Sequence, residues 1–250
     1  MLELSGLSKH FGGVRAVDGV NLKVGRGDIV GLIGPNGSGK STIVNLICGL
    51  FPPTAGTVLF NGKDITSLPT HVRVGMGVAR TFQNIRLFGQ LSVWQNLWVA
   101  QNSDQQRKDG SFLRRWLGAP GSSRAEIDRT LDFFSLAGKR DELAANLSFG
   151  EQRRLEMARA LAANPSLLLL DEPAAGMNAE EIEQLDERIR TLRKTGITIL
   201  LIEHHMELVM AVTDRVAVLN FGQKIADGGP AEIQANPQVR EAYLGSSKVK

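Results

Sequence analysis

The sequence is short of several things, and each shortage closes off a class of function. One cysteine, Cys48, stands among 250 residues, so no internal disulfide can form and nothing points to an oxidising compartment. Its setting, "IVNLICGL", predicts a buried small hydrophobe. No apolar run approaches the ~18 residues of a membrane-spanning helix, so any span must come from another chain. The opening "MLELSGLSKHF" has no uninterrupted apolar stretch, and no signal peptide is expected. There is no internal repeat and no low-complexity tract. Charge of one sign is barely in excess: 29 Lys and Arg against 26 Asp and Glu leave a net charge of +3, too mild to imply nucleic acid. The basic pairs Arg114–Arg115, Lys139–Arg140 and Arg153–Arg154 are scattered and read as solvated faces.

What is present is an alternation of short apolar runs and helical patterns, in a chain long enough to bury a proper core. Two short β-like segments, "LELSGL" and "VNLKV", come first. "DIVGLIG" is a dense apolar run of the kind that forms a buried parallel strand. "PNGSG" follows, then a helical pattern from Lys40 to Leu50 that "PPTAG" breaks. "TVLFNG" reads as a strand and turn, and "GVARTFQ" as a strand ending in polar residues. From about Leu91 to Ala163 the segments "SVWQNLWVAQN", "AEIDRTLDFFSLAG" and "GEQRRLEMARALAAN" have helical spacing. Between the first two, residues 102–124 are rich in Gly, Ser and charge and read as an insertion. The strand–helix order then resumes with "SLLLLDE", "NAEEIEQLDERIRTLRKTG", "ITILLIE", a helix from His205, "RVAVLNFG" and "QKIADGG". This alternation argues for an α/β sheet covered on both faces. A single domain over 1–250 is expected, with a core and β subdomain from 1–90 and 164–250 and a helical subdomain over 91–163.

The chemistry begins with "GPNGSGKST", Gly34 to Thr42, which matches G-x-x-x-x-G-K-[ST] between a predicted strand and a predicted helix. Glycines let backbone amides curl around phosphates, and the helix start adds its positive dipole end. Lys40 is placed to reach the β- and γ-phosphates and the Ser41 hydroxyl to ligate Mg²⁺. "LLLLDE" sets Asp171 and Glu172 at the end of a buried strand, where open α/β sheets bind ligands. Asp171 would hold the metal through water and Glu172 would polarise the attacking water. Alone, such a pair would do no more than cap the next helix. His204, after "ITILLIE", can hydrogen-bond a γ-phosphate, Gln83 can ligate Mg²⁺ or orient water, and Phe11 can stack on adenine. Each of the three taken singly reads as structural. "LSFGEQ", Leu147 to Gln152, supplies a second helix start: Ser148 can donate to a phosphate oxygen, and Gly150 lets backbone come close.

"LSFGEQ" resembles the LSGGQ signature of the ABC-type ATPases, and the motif order along the whole chain is similar to theirs. The resemblance implies an ABC-type P-loop fold, with a mixed-sheet core, an inserted helical subdomain and an N-terminal antiparallel β subdomain. It implies ATP contacts at Phe11, Val17, Gly34, Pro35, Asn36, Gly37, Ser38, Gly39, Lys40, Ser41 and Thr42. It also implies catalytic roles for Glu172, His204 and Gln83, and Mg²⁺ held by Ser41, Gln83 and Asp171. In that family two subunits pair head to tail, so Leu147, Ser148, Gly150 and Glu151 would serve the partner's ATP. The signature then stands on a subdomain that can move.

Three positions depart from the pattern: Phe149 replaces a signature glycine, Asn178 ends a D-loop that commonly ends in Asp, and His205 follows the switch histidine where Asp is frequent. Expected consequences are altered packing beside Ser148 and altered crosstalk between sites. "RTFQNIRLF", the insertion, "EPAAGMN", "LLIEHHMELVM" and "EAYLG" resemble the ATPase of branched-chain amino-acid importers. That resemblance implies a motor on the cytoplasmic face of the cell membrane. Its partners would be a sister or identical ATPase, multi-span membrane subunits and, indirectly, a substrate-binding protein, with no nucleic acid. The lipopolysaccharide-export ATPase is a close alternative. A soluble ABC ATPase and a metabolic P-loop kinase are the others. The first would usually carry long coiled coils or two cassettes, and the second would leave Ser148, Glu172 and His204 without joint roles.

Overall fold

A computed structural model of the chain describes residues 1–101 and 121–244. These form two compact units, Met1–Arg73 with Leu169–Lys250, and Val74–Leu168. The second unit takes in residues 74–90, which the sequence pattern assigns to the core. Of the expected insertion, residues 102–120 lie outside the described residues.

The first unit holds two sheets. In the smaller, β1 (Leu2–Phe11) and β2 (Val14–Val24) pair antiparallel, β4 (Ala55–Phe60) lies on the other edge of β1, and β5 (Lys63–Asp64) continues from β4. The opening strands run well past the two short segments that the pattern predicts. The register shifts between Leu4 and Leu7, and again on either side of Lys9. Each bulge moves the inward face by one residue, so a strict period-2 reading stops where the strand does not. Leu2, Leu4 and Leu7 are buried all the same.

The larger sheet carries β10 (Gln223–Gly228), β9 (Arg215–Asn220), β3 (Ile29–Ile33), β8 (Thr198–Ile202) and β7 (Leu167–Asp171), in that order. β3 pairs parallel with β8 and β9, and β10 pairs antiparallel with β9, so the sheet is mixed. Every residue of β3, β7 and β8 is buried, which is why all three read as unbroken apolar runs. The helices that accompany these strands are α1 (Lys40–Cys48), α2 (Thr70–Gly75), α6 (Ala179–Lys194), α7 (Met206–Val212), α8 (Pro230–Ala235) and α9 (Pro237–Leu244). α1 stops at Gly49, whose φ of 72° and hydrogen bonds to Asn45 and Leu46 close the last turn. Cys48 is buried, as expected.

The second unit has β6 (Val78–Arg80), α3 (Val93–Gln101), α4 (Gly121–Phe133) and α5 (Phe149–Ala162). α5 packs against both α3 and α4, and Leu97, Ile127, Leu131, Phe134 and Leu155 are buried there. β6 ends at Arg80, three residues short of the expected Gln83. The backbone beyond it turns to a buried side chain instead of a neighbouring strand: the Phe82 and Arg86 amides donate to Glu156 Oε1 at 3.4 and 3.3 Å.

Arg73, 2% exposed, ties the first unit together. Its guanidinium donates to the carbonyls of Leu46, Ile47, Thr66 and Leu68 at 2.7 to 2.9 Å. Two of these are end carbonyls of α1 that the helix itself cannot satisfy. Arg73→Met keeps most of the volume and removes a donor from all four carbonyls, of which Leu46 O keeps the Gly49 amide. It should lower stability by ~3 kcal/mol, read as a fall in the urea midpoint with an unchanged m-value.

Candidate phosphate-binding and hydrolysis site

The loop between β3 and α1 is shaped by glycines that no other residue can replace. Gly34 has φ 150°, and a Cβ there would meet Leu219 O at 2.2 Å and Ser38 Oγ at 2.7 Å. Gly39, the N-cap of α1, has φ 104°, and a Cβ there would meet Ala16 O at 2.4 Å. Val17 is fully buried, its Cγ2 lying 3.5 Å from that same point. It packs under the loop and is not exposed toward a ligand. Pro35, Asn36, Gly37, Ser41 and Thr42 are part- or fully exposed, whereas Ser38 is buried. Lys40 is 7% exposed and its ammonium donates to Gly34 O at 2.7 Å and Pro35 O at 2.9 Å. Burial pushes its pKa down, while Glu172 and Asp171 hold the charge in place. The loop's cation and the two carboxylates after β7 thus share one electrostatic environment, as the motifs require.

Asp171 closes β7 and is 3% exposed. Glu172 leaves the strand with φ 49°, a left-handed conformation that is uncommon outside glycine. Its amide bonds Ile202 O at 2.8 Å, so the turn is anchored to β8. His204 Nδ1 lies 3.9 Å from Glu172 Oε2. The imidazole is half-exposed and the carboxylate largely covered.

Sequence reasoning missed the residue that organises this corner. Glu203 has no solvent exposure. Its carboxylate accepts from Ala174 N at 2.8 Å, His204 N at 2.8 Å and His205 N at 3.1 Å. The loop carrying Glu172 and the turn carrying His204 are thereby tied to one group. The only available signal was an acidic residue closing an apolar strand in "LLIEHH".

Phe11 is 48% exposed and stacks edge-on against Phe51 at 5.4 Å, with Lys9 Nζ 5.2 Å from both ring centres. This leaves an open aromatic face in the first unit. Asn178 proves to be the N-cap of α6, in a reciprocal capping box with Glu181 at 2.9 and 3.0 Å. Asn and Asp are equivalent in that role, so the departure keeps the local backbone. His205 stands at the N-cap of α7 without a side-chain cap bond, its ring 4.5 Å from that of His204.

Gln83 and the signature belong to the second unit. Ser148 is the N-cap of α5: its Oγ accepts from Glu151 N at 3.3 Å, and Glu151 Oε2 accepts from Ser148 N at 2.8 Å. The Ser148 amide, and after it the Ser148 side chain, hold the Glu151 carboxyl below its usual range. Leu147 is buried, Gly150 is partly exposed, and Phe149 is 53% exposed with the Arg153 guanidinium 5.9 Å from its ring centre.

Arg153 itself corrects the expectation of a solvated basic pair. It is 2% exposed, pairs with Glu156 at 3.2 Å, and donates to Phe82 O at 2.9 Å. Burial pushes the Glu156 carboxyl up, against the pull of the Arg86 amide and Arg153. Together the pair holds the backbone on both sides of Gln83 to the helix that begins at the signature.

The chain is similar to known proteins along nearly its whole length. A family described as ABC transporter matches residues 17–175, and one described as branched-chain amino acid ATP-binding cassette transporter matches residues 223–249. The high-affinity branched-chain amino acid transport ATP-binding protein LivG of Escherichia coli (strain K12) is 45% identical over 254 residues, 99% of this chain and 98% of that protein. The lipopolysaccharide export system ATP-binding protein LptB of the same organism is 37% identical, over 98% of this chain and 97% of its own. Among solved structures, the ADP conformation of MJ1267, an ATP-binding cassette of an ABC transporter, superposes with a TM-score of 0.86 at 32% identity, covering 98% of both chains. The dimeric post-hydrolysis cassette MJ0796, bound to ADP and Pi, gives 0.78 at 25% identity, covering 92% of this chain and 99% of its own.

Replacing Glu203 by Gln keeps the shape but turns an amide N–H₂ toward backbone donors. Glu203→Gln should leave nucleotide affinity within about twofold and lower hydrolysis ~10-fold or more, because the loops of Glu172 and His204 lose their common anchor. Equilibrium binding and steady-state ATPase assays separate the two effects.

Proposed function

Because this chain belongs to the ABC transporter ATP-binding family, we propose that it is the ATP-hydrolysing motor subunit of a membrane importer for branched-chain or related amino acids. The observation that carries the chemistry is the 3.9 Å approach of His204 Nδ1 to the Glu172 carboxylate, beside a phosphate loop whose buried Lys40 is kept charged by Glu172 and Asp171. Loop amides and Lys40 bind the β- and γ-phosphates. Glu172 polarises the attacking water, and His204 steadies the γ-phosphate. Ser41 and Asp171 offer hydroxyl and carboxylate oxygens, hard donors that would suit Mg²⁺. That ion, when bound, neutralises charge developing on the phosphates. Phe11 offers the exposed face on which adenine stacks.

Ser148 and its neighbours are assigned to the ATP of a second subunit. Related cassettes crystallise as dimers, which supports a head-to-tail pair of this chain with itself or a sister. No helix among the described residues is long and apolar enough to cross a membrane, so the span belongs to separate subunits on which this one sits at the cytoplasmic face. The segment from Gln83 to Phe88, braced by Arg153 and Glu156, is the surface that would meet them, and a substrate-binding protein would deliver the solute. The importer reading is favoured over lipopolysaccharide export by the higher identity to LivG and by the match of residues 223–249.

Glu172→Gln should keep ATP binding and lose hydrolysis by ~10²-fold or more, while Lys40→Ala should weaken binding itself. Ser148→Arg tests the trans role. Glu172→Gln and Ser148→Arg homodimers each have two dead sites, but their heterodimer has one site free of both lesions, so mixing should restore part of the activity. ATPase assays on mixtures check this, with mixed dimers verified by differential tags and a heterodimer with one wild-type site shown to be active. No rescue under those controls would place Ser148 on its own chain's nucleotide.

A further inference from the structure

No motif includes the segment that leaves α1, yet it is built onto the residue assigned to the base. Gly49 turns the chain out of α1, and residues 51–54 then run beside the end of β1. The Thr54 amide donates to Ser8 O at 2.8 Å, the His10 amide donates to Thr54 Oγ1 at 3.0 Å, and the Lys9 ammonium donates to Pro52 O at 2.7 Å. Three hydrogen bonds thus tie the segment down, and Phe51 with it. Its ring meets that of Phe11 at 5.4 Å and an interplanar angle of 85°. In this arrangement the positive edge of one ring faces the negative face of the other.

Lys9 completes the corner. Its ammonium stands 5.2 Å from both ring centres, and the bond to Pro52 keeps it there. A cation so placed is attracted to both π-faces, so neither ring can swing away without losing a contact. Phe11 nonetheless stays 48% exposed: the ring is fixed without being covered. A ligand that stacks on a loose side chain must first order it, at a cost in affinity. Here that order is already imposed.

Phe11 closes β1 opposite Val14 of β2. Two residues further along β2, about 7 Å, Ala16 O backs Gly39 of the phosphate loop. Phe51 in turn follows α1, the helix that starts from that loop. The aromatic corner and the phosphate loop are therefore parts of one framework, joined through β2 on one side and α1 on the other.

We propose that Phe51 is a positioning residue for the nucleotide base: clamped with Lys9, it holds Phe11 in the orientation on which adenine stacks, and so raises the base's share of nucleotide affinity. This rests on the reading of Phe11 as the base platform. Phe51 acts through Phe11 and leaves the hold on the phosphates untouched.

The test uses the full chain and isothermal titration of two probes. A non-hydrolysable ATP analogue carries the base, and inorganic tripolyphosphate does not. Phe51→Leu keeps an apolar side chain and removes the ring. It should weaken the analogue about fivefold and bind tripolyphosphate as wild type does. Phe51→Tyr, which retains the ring, should keep wild-type affinity for both. Phe11→Ala should weaken the analogue ~10-fold. Adding Phe51→Leu to it should cost nothing more, because a positioning residue has no effect once the group it positions is gone. Wild-type affinity for the analogue in Phe51→Leu would overturn the proposal. So would equal weakening of both probes, which marks general damage to the site, and so would a further loss on top of Phe11→Ala. Phe11→Ala also separates this proposal from the reading beneath it. If Phe11→Ala loses affinity and Phe51→Leu does not, the positioning role alone fails. If Phe11→Ala binds the analogue as wild type, Phe11 is not the base platform and both fail.

Discussion

A carboxylate with no access to water must find its partners in the protein, and much of this molecule's catalytic corner follows from Glu203 meeting that demand. Removing a charge from water is expensive unless it is hydrogen-bonded. Glu203 accepts from three backbone amides that belong to two different turns. Neither turn can drift without leaving part of the charge unsatisfied. The left-handed backbone at Glu172 and the 3.9 Å approach of His204 to its carboxylate are held by this constraint. The residue that touches no ligand thus sets the geometry of those assigned to touch one.

The second unit solves the same problem differently. Arg153 and Glu156 are both buried, one helical turn apart on α5. An isolated buried ion pair gains little over an apolar one, but this pair also hydrogen-bonds the Phe82 and Arg86 backbone. A segment that would otherwise extend a strand is converted into a loop standing on the signature helix. Gln83 and Ser148, far apart in sequence, are therefore parts of one mechanical piece.

The sequence disclosed what depends on local backbone chemistry. The phosphate loop was legible because its glycines and lysine act within a single turn. β3, β7 and β8 were legible because burial on both faces leaves only apolar residues. The helices after Ser148 and Asn178 were legible from their helical spacing. What stayed hidden is set by long-range pairing. Arg153 looked like half of a solvated pair, because a buried arginine and a surface one are the same letter until the partner is known. The register shifts in β1 concealed the true lengths of β1 and β2. Nothing in the pattern announced α2, whose Arg73 is held in place by carbonyls that α1 contributes.

The scarcity of cysteine has a consequence of its own. Cys48, 7% exposed, is the last residue of α1, the helix whose first residue is Lys40. A thiol reacts only as an accessible thiolate, so a reagent must wait for the end of this helix to open. With no second sulfhydryl to compete, the labelling rate of the unmodified chain is a clock for local unfolding beneath the phosphate loop. The protein carries its own reporter on the element that nucleotide would be expected to quiet.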